Sequence, residues 1–219
     1  MKFKKYLFDF DGTIGDSMPT WIKKVKMILD GERIACTDEI LRKITPLGDV
    51  GTAKYFKTVL GVKSSIEEML AKMNSIAEPA YKDRISLKPG VADYLKRLKQ
   101  HDCSLSILSA SPLNLLLPCL ERNGIIGYFD NVWCSESFNI SKSEPLIYME
   151  VASKLNSNLS EVIFFDDNIN AVRASVDAGI YTVGVYDKSA DSVKMEIKEI
   201  ANDYLDSFLN LPSYLLPTE

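Results

Sequence analysis

From Val91 onward, short apolar runs alternate with longer amphipathic stretches, and this alternation limits the chain to few folds. Val91 to about Gln100 reads as a helix, Leu105 to Ser109 as a strand, and Leu113 to Asn123 as a helix stopped by Gly124. Asn131 to Cys134 is a short strand and Pro145 to Leu155 a helix. Val162 to Phe165 is a strand, Ile169 to Ala178 a helix ending at Gly179, and Tyr181 to Val185 another strand. Strands that alternate with helices pair in parallel and carry helices on both faces. Tyr6 to Phe10 is an apolar, aromatic run ending at a turn, and it joins the same sheet.

Residues 17 to 86 have a different character. Apolar spacings of three and four recur around Trp21 to Leu29, Asp38 to Ile44, Ala53 to Leu60 and Ile66 to Tyr81, separated by turn signals at Asp30-Gly31 and Gly61. The fold class expected is α/β: a Rossmann-like, doubly wound parallel sheet with an inserted α-helical bundle. Residues 1–14 and 88–219 form a discontinuous core domain, and 15–87 form a helical cap domain inserted after the first strand. The tail from Pro212 to Glu219 is expected to be loosely held.

In an open parallel sheet, ligands bind outside the carboxyl ends of the strands. Here the strand tips carry Asp9-Phe10-Asp11-Gly12-Thr13, Ser109-Ala110-Ser111 and Asp166-Asp167-Asn168, and Lys142 follows the third strand. Asp9 and Asp11 lie two apart, so extended backbone turns both to one side. One carboxylate of such a pair can attack phosphorus while the other moves protons. Gly12 permits a sharp turn that brings backbone amides to an anion. Four acids repel a phosphate dianion, so a hard cation is required, and carboxylates plus phosphate suit magnesium. Ser109 and Lys142 would hold phosphoryl oxygens. An EF-hand does not fit, because Thr13 and Thr20 stand where calcium ligands belong.

Absences narrow the chemistry further. The only histidine, His101, lies in a polar stretch and reads as a surface residue, so histidine-based triads and histidine metal sites lack material. The four cysteines, Cys36, Cys103, Cys119 and Cys134, are scattered; they read as buried thiols rather than zinc ligands. A net charge of -4 disfavours nucleic acid and membrane surfaces. No run approaches the ~18 apolar residues of a membrane span, and the short apolar stretch before Asp9 leads us to expect no secretory leader. The expectation is a cytoplasmic protein, monomer or weak dimer.

Together these segments resemble the haloacid dehalogenase superfamily, in its phosphoglycolate phosphatase-like and beta-phosphoglucomutase-like branch. DFDGT at 9–13, LSAS at 108–111, Lys142-Ser143-Glu144-Pro145 and FFDDNINAVRASVDAG at 164–179 match its four motifs in order. LERNGIIGYFD at 120–130 extends the likeness. The resemblance implies Asp9 as nucleophile and Asp11 as general acid/base. It also implies magnesium held by Asp9, the Asp11 carbonyl and Asp167, with Asp166 assisting. The phosphoryl group would rest on Gly12, Thr13, Ser109, Ala110 and Lys142. A small phosphorylated metabolite, such as phosphoglycolate or a sugar phosphate, is the implied substrate. The cap would supply contacts from Met18, Trp21, Arg42, Lys43 and the loop Thr45-Pro46-Leu47-Gly48.

Departures from the pattern select within it. Dehalogenases lack the second aspartate, and Asp11 is present. Mutase relatives carry a cap histidine near Trp21, and its absence counts against a phosphomutase or phosphotransferase, the first alternative. Trp21 itself reads first as a core residue of the bundle. Lys142 is not followed directly by proline, and Ala171 replaces a frequent glycine. A non-enzymatic receiver-like signalling domain is the second alternative, against which the DxD order and the inserted helices count.

Overall fold

The computed structural model describes residues 3–215. The chain opens with β1 (Lys5–Phe8) and then runs through four helices: α1 (Met18–Gly31), α2 (Asp38–Ile44), α3 (Gly48–Thr58) and α4 (Ile66–Asp83). The alternating part follows as α5 (Val91–Gln100), β2 (Ser104–Ser109), α6 (Leu113–Arg122), β3 (Asn131–Cys134), α7 (Pro145–Lys154) and β4 (Val162–Asp166). It ends with α8 (Ile169–Ala178), β5 (Tyr181–Val185), α9 (Lys194–Ile200) and β6 (Asp203–Leu205). Every strand pairing is parallel, in the order β3-β2-β1-β4-β5-β6. The winding reverses between β1 and β4, which is where a doubly wound sheet opens a crevice.

Strand periodicity sorts side chains between two cores. Tyr6, Phe8, Leu105, Ile107, Ile163 and Phe165 pack with α5 and α6 on one face. Leu7, Leu108, Val162 and Phe164 pack with α7 and α8 on the other. The Phe8 and Phe165 rings stack with centroids 4.9 Å apart, a contact worth about 0.5–1.5 kcal/mol beyond its buried area. Both faces are covered, so the strands read as apolar runs rather than as alternating ones.

The helices α1 to α4 bury Val25, Ile28, Leu29, Ile44, Phe56, Met69 and Met73 in a cluster of their own. Ser65 and Glu68 start α4 with a reciprocal cap: Glu68 N donates to Ser65 Oγ at 3.1 Å, and Ser65 N donates to the Glu68 carboxylate at 2.7 Å. The far end of α4 behaves differently, because Ala77, Ala80 and Tyr81 are buried with the sheet cluster. The excursion leaves and returns at neighbouring points. Asp16 N donates to Ser86 O at 2.9 Å, and Lys88 N donates to Ile14 O at 2.9 Å.

Several expectations need correction. β1 ends at Phe8 rather than Phe10, since the chain turns to present Asp9. α3 begins at Gly48, five residues ahead of the expected Ala53; Gly48 and Gly51 are poor helix formers that concealed its first turn. The sequence patterns did not anticipate α9 and β6, whose strand is only three residues long. The tail is held as far as Leu215, which is buried and whose carbonyl accepts from Tyr94 Oη at 3.1 Å; residues 216–219 of that segment lie outside the described residues. Cys103, Cys119 and Cys134 are buried, but Cys36 is only half-buried. His101 caps the end of α5 at the amino-terminal edge of the sheet, away from the crevice. Among the described residues, no helix is long and apolar enough to cross a membrane.

Candidate active site

Register sets the geometry of the crevice. Phe8 pairs with Phe165, and Asp9 N donates to Phe165 O at 2.9 Å, so Asp9 and Asp166 emerge side by side. Asp167 follows, and the three buried carboxylates offer oxygen atoms that all lie within 4.8 Å of one another. Lys142 reaches across from the loop after β3. Its Nζ lies 2.5 Å from Asp9 Oδ1 and 2.7 Å from Asp166 Oδ2. Tyr148 Oη donates to the Lys142 carbonyl at 2.8 Å and fixes that loop against α7.

One cation against three buried acids leaves negative charge uncompensated. Burial pushes the Asp9 carboxyl up to about 7; Lys142 draws it down, and Asp166 and Asp11 raise it again. Asp167 is held well above the usual carboxylate range by burial, then by Asp166 and Asp9. Burial alone would depress Lys142, but Asp166 and Asp9 outweigh it and hold the ammonium above its ordinary value. Asp166 Oδ1 accepts from Asn168 N at 2.7 Å, whereas Oδ2 faces the ammonium without an aligned hydrogen bond. A buried, incompletely satisfied oxygen in an all-carboxylate set fits a hard divalent cation.

Gly12 has φ +82°, and a Cβ there would stand 2.4 Å from Asp167 Oδ2, so only glycine lets this turn approach the acid. Thr13 Oγ1 donates to Asp167 Oδ1 at 3.1 Å. Lys88 Nζ donates to the Gly12 carbonyl, donates to Tyr186 O at 2.7 Å, and pairs with Asp187 at 2.9 Å. The Asp11 side chain turns away from the acid cluster. Its Oδ1 accepts from Tyr81 Oη, and its Oδ2 accepts from Ser111 Oγ at 2.6 Å and Ser109 Oγ at 3.3 Å. Burial, then Asp11, keeps the Tyr81 phenol well above its ordinary pKa, so it remains a donor.

A cavity of about 730 Å³ opens over these groups, lined on the sheet side by Asp9, Asp11, Ala110, Lys142, Asp166 and Asp167. The opposite wall includes Met18, Trp21, Arg42 and the stretch 45–48. Lys43 instead points to solvent and pairs with Glu39 at 2.8 Å, as helical i,i+4 spacing dictates. Trp21 packs against the helical cluster and donates from Nε1 to Asp49 at 2.8 Å, while buried Lys24 holds the other Asp49 oxygen at 2.5 Å. Asn168 Nδ2 and Asn170 Nδ2 both donate to Pro46 O, at 3.2 and 2.9 Å, tying the insertion to the start of α8. Asn168, rather than either acid, is the N-cap of α8. Sequence reasoning gave no role to Tyr81, Lys24, Asp49, Asn168 or Asn170. Ser111 and Asn168 were signalled by their places in the strand-tip runs Ser109-Ala110-Ser111 and Asp166-Asp167-Asn168; the others carry no local signal.

The family model described as a haloacid dehalogenase-like hydrolase matches residues 6–185. The chain belongs to this family. A phosphorylated carbohydrates phosphatase of Thermotoga maritima is 24% identical over 80% of this chain and 81% of its own. A phosphoglycolate phosphatase of Psychrobacter arcticus is 25% identical over 96% of this chain and 94% of its own. The crystal structure of beta-phosphoglucomutase from Clostridium difficile superposes with a TM-score of 0.83 at 20% identity, covering 97% and 95% of the two chains. A hydrolase-family match with relatives named as phosphatases bears out the expected phosphatase-type enzyme. The receiver-like alternative has no support in a haloacid dehalogenase-like hydrolase.

Proposed function

We propose that this enzyme is a magnesium-dependent phosphatase that hydrolyses a small phosphorylated metabolite through an aspartyl-phosphate on Asp9. The observation that carries the reading is the buried cluster of Asp9, Asp166 and Asp167 at the switch point, with Lys142 against Asp9. Asp9, Asp167 and the Asp11 carbonyl would hold magnesium, with Asp166 assisting directly or through water; the ion offsets the charge of the acids and of the phosphate. An Asp9 oxygen bonds to phosphorus as the ester P–O bond breaks, and Asp11 gives its proton to the departing oxygen. Asp11 then takes a proton from water as the water oxygen attacks phosphorus, and Asp9 is released as a carboxylate. Lys142, Ser109 and the Ala110 backbone amide would take the phosphoryl oxygens, where charge develops, whereas the expected Gly12 and Thr13 amides already donate within the turn, to Gly15 O at 3.0 Å and Phe10 O at 3.3 Å.

Residues 15–87 read as a cap domain on a core of 1–14 and 88–219, closing over the site and excluding water. The relatives named for phosphorylated carbohydrates and phosphoglycolate support a substrate of sugar phosphate or phosphoglycolate type. Trp21 in place of a cap histidine favours transfer to water over transfer to a sugar hydroxyl. A cytoplasmic monomer or weak dimer completes the reading.

The test is hydrolysis of p-nitrophenyl phosphate with magnesium, by the parent and by Asp9→Asn. Asp9→Asn is expected to abolish turnover, and chelator to stop the parent reversibly. An Asp9→Asn variant as fast as the parent would remove the nucleophile, and undiminished activity in chelator would remove the metal.

A further inference from the structure

Asp11 has both carboxylate oxygens engaged by hydroxyls, and the donor on Oδ1 comes from 70 residues away on α4. Tyr81 Oη also lies 2.9 Å from Ser111 Oγ, which itself donates to Asp11 Oδ2 at 2.6 Å, so three polar groups close a triangle. The Tyr81 ring has little freedom. It is 4% exposed, its centroid lies 6.2 Å from that of Phe10, and its carbonyl accepts from Arg122 at 3.4 Å. It shares the sheet's hydrophobic cluster with Ala77 and Ala80, so the phenol is anchored to the core rather than to the helices around Trp21.

The geometry points to Tyr81 as a positioning residue that, together with Ser111, aims the Asp11 carboxyl group for proton transfer. This rests on the reading of Asp11 as the proton carrier. The turn that carries Asp11 is held by its own backbone hydrogen bonds, but these leave the side-chain torsion unset; two hydroxyls from different elements fix the plane of the carboxylate, and misplacing a catalytic group by about 1 Å can cost ~100-fold. The plainer account is that a buried phenol needs an acceptor. Ser111 Oγ at 2.9 Å would already satisfy that need, so the additional contact with Asp11 is what the positioning role explains.

The two accounts differ in how loss depends on the leaving group. Nitrophenolate departs readily without a proton, whereas phenolate needs one more. With Tyr81→Phe, kcat/KM for phenyl phosphate is expected to fall about tenfold further than kcat/KM for p-nitrophenyl phosphate. Asp11→Asn is expected to show the same split, and adding Tyr81→Phe to it to change little, because the two act as one unit. Ser111→Ala provides a second route to the split should Tyr81→Phe fold poorly. Equal loss on both esters, no loss, or a full additional loss on the Asp11→Asn background overturns the positioning role. An active parent that depends on Asp9 but shows an unselective Tyr81→Phe effect sinks this inference alone. A parent inert on every ester sinks the functional reading and the inference with it.

Discussion

Lys142→Met tests how the acid cluster is held together. One ammonium lies 2.5 and 2.7 Å from two buried carboxylates, and its removal leaves Asp9, Asp166 and Asp167 facing each other. Deleting one partner of a buried ion pair costs about 3–5 kcal/mol. In a chain of this size each kcal/mol moves the melting temperature by about 2–4 °C, so a fall of about 6–20 °C is expected in chelator near pH 8. The cost is conditional on charge. With the Asp9 carboxyl already raised to about 7, losing Lys142 raises it further, so near pH ~6 a bound proton replaces part of the missing ammonium. The melting difference between parent and variant should therefore shrink on acidification, as read by circular dichroism, and magnesium should restore part of it by binding the folded state. An equal difference at both pH values, or no difference, would refute the account of the acids as mutually repelling charges offset by one lysine.

The proton on Asp9 has two other measurable effects. Its pKa rises from 3.8 unfolded to about 7 folded, so the folded state binds the extra proton and the stability of the cation-free protein falls as pH rises through that window. On the proposed reading magnesium displaces that proton, so its affinity by calorimetry should weaken as pH drops below about 7; a flat profile would count against a protonated Asp9. Gly12→Ala combines φ +82° with a Cβ 2.4 Å from Asp167 Oδ2, and should cost about 1–3 kcal/mol in a urea titration and loosen magnesium binding as well. A variant as stable and as tight as the parent would show that the turn tolerates a side chain.

What sequence could and could not reveal follows from range. The strands β3 and β5 and the helices α2, α5 and α8 match their expected bounds, because each is announced by local periodicity and punctuated by Gly, Pro or a cap. Asp9, Ser109, Lys142, Asp166 and Asp167 were legible because a parallel sheet gathers its strand tips regardless of the loops between them. The hydroxyl of Tyr81 was not, since it reaches Asp11 from the last turn of an ordinary amphipathic helix. Asn170 looked like any first-turn polar residue, and only the three-dimensional path of Pro46 gives it a partner. β6 is too short to establish a period, and α3 was blurred by its glycines.

The paired exits at Asp16–Ser86 and Ile14–Lys88 have a consequence for how the chain tolerates exchange. To the sheet, the long excursion resembles a hairpin whose ends are already joined, and lengthening such a loop twofold costs only about 0.6 kcal/mol in closure entropy. Grafting a foreign helical segment between these two rungs, with the Ala77–Tyr81 turn of α4 retained against the sheet, should thus leave the strand tips in register. On the proposed reading, selectivity could be rewritten as a module, while Asp9, Ser109, Lys142 and Asp166 stay where the sheet puts them.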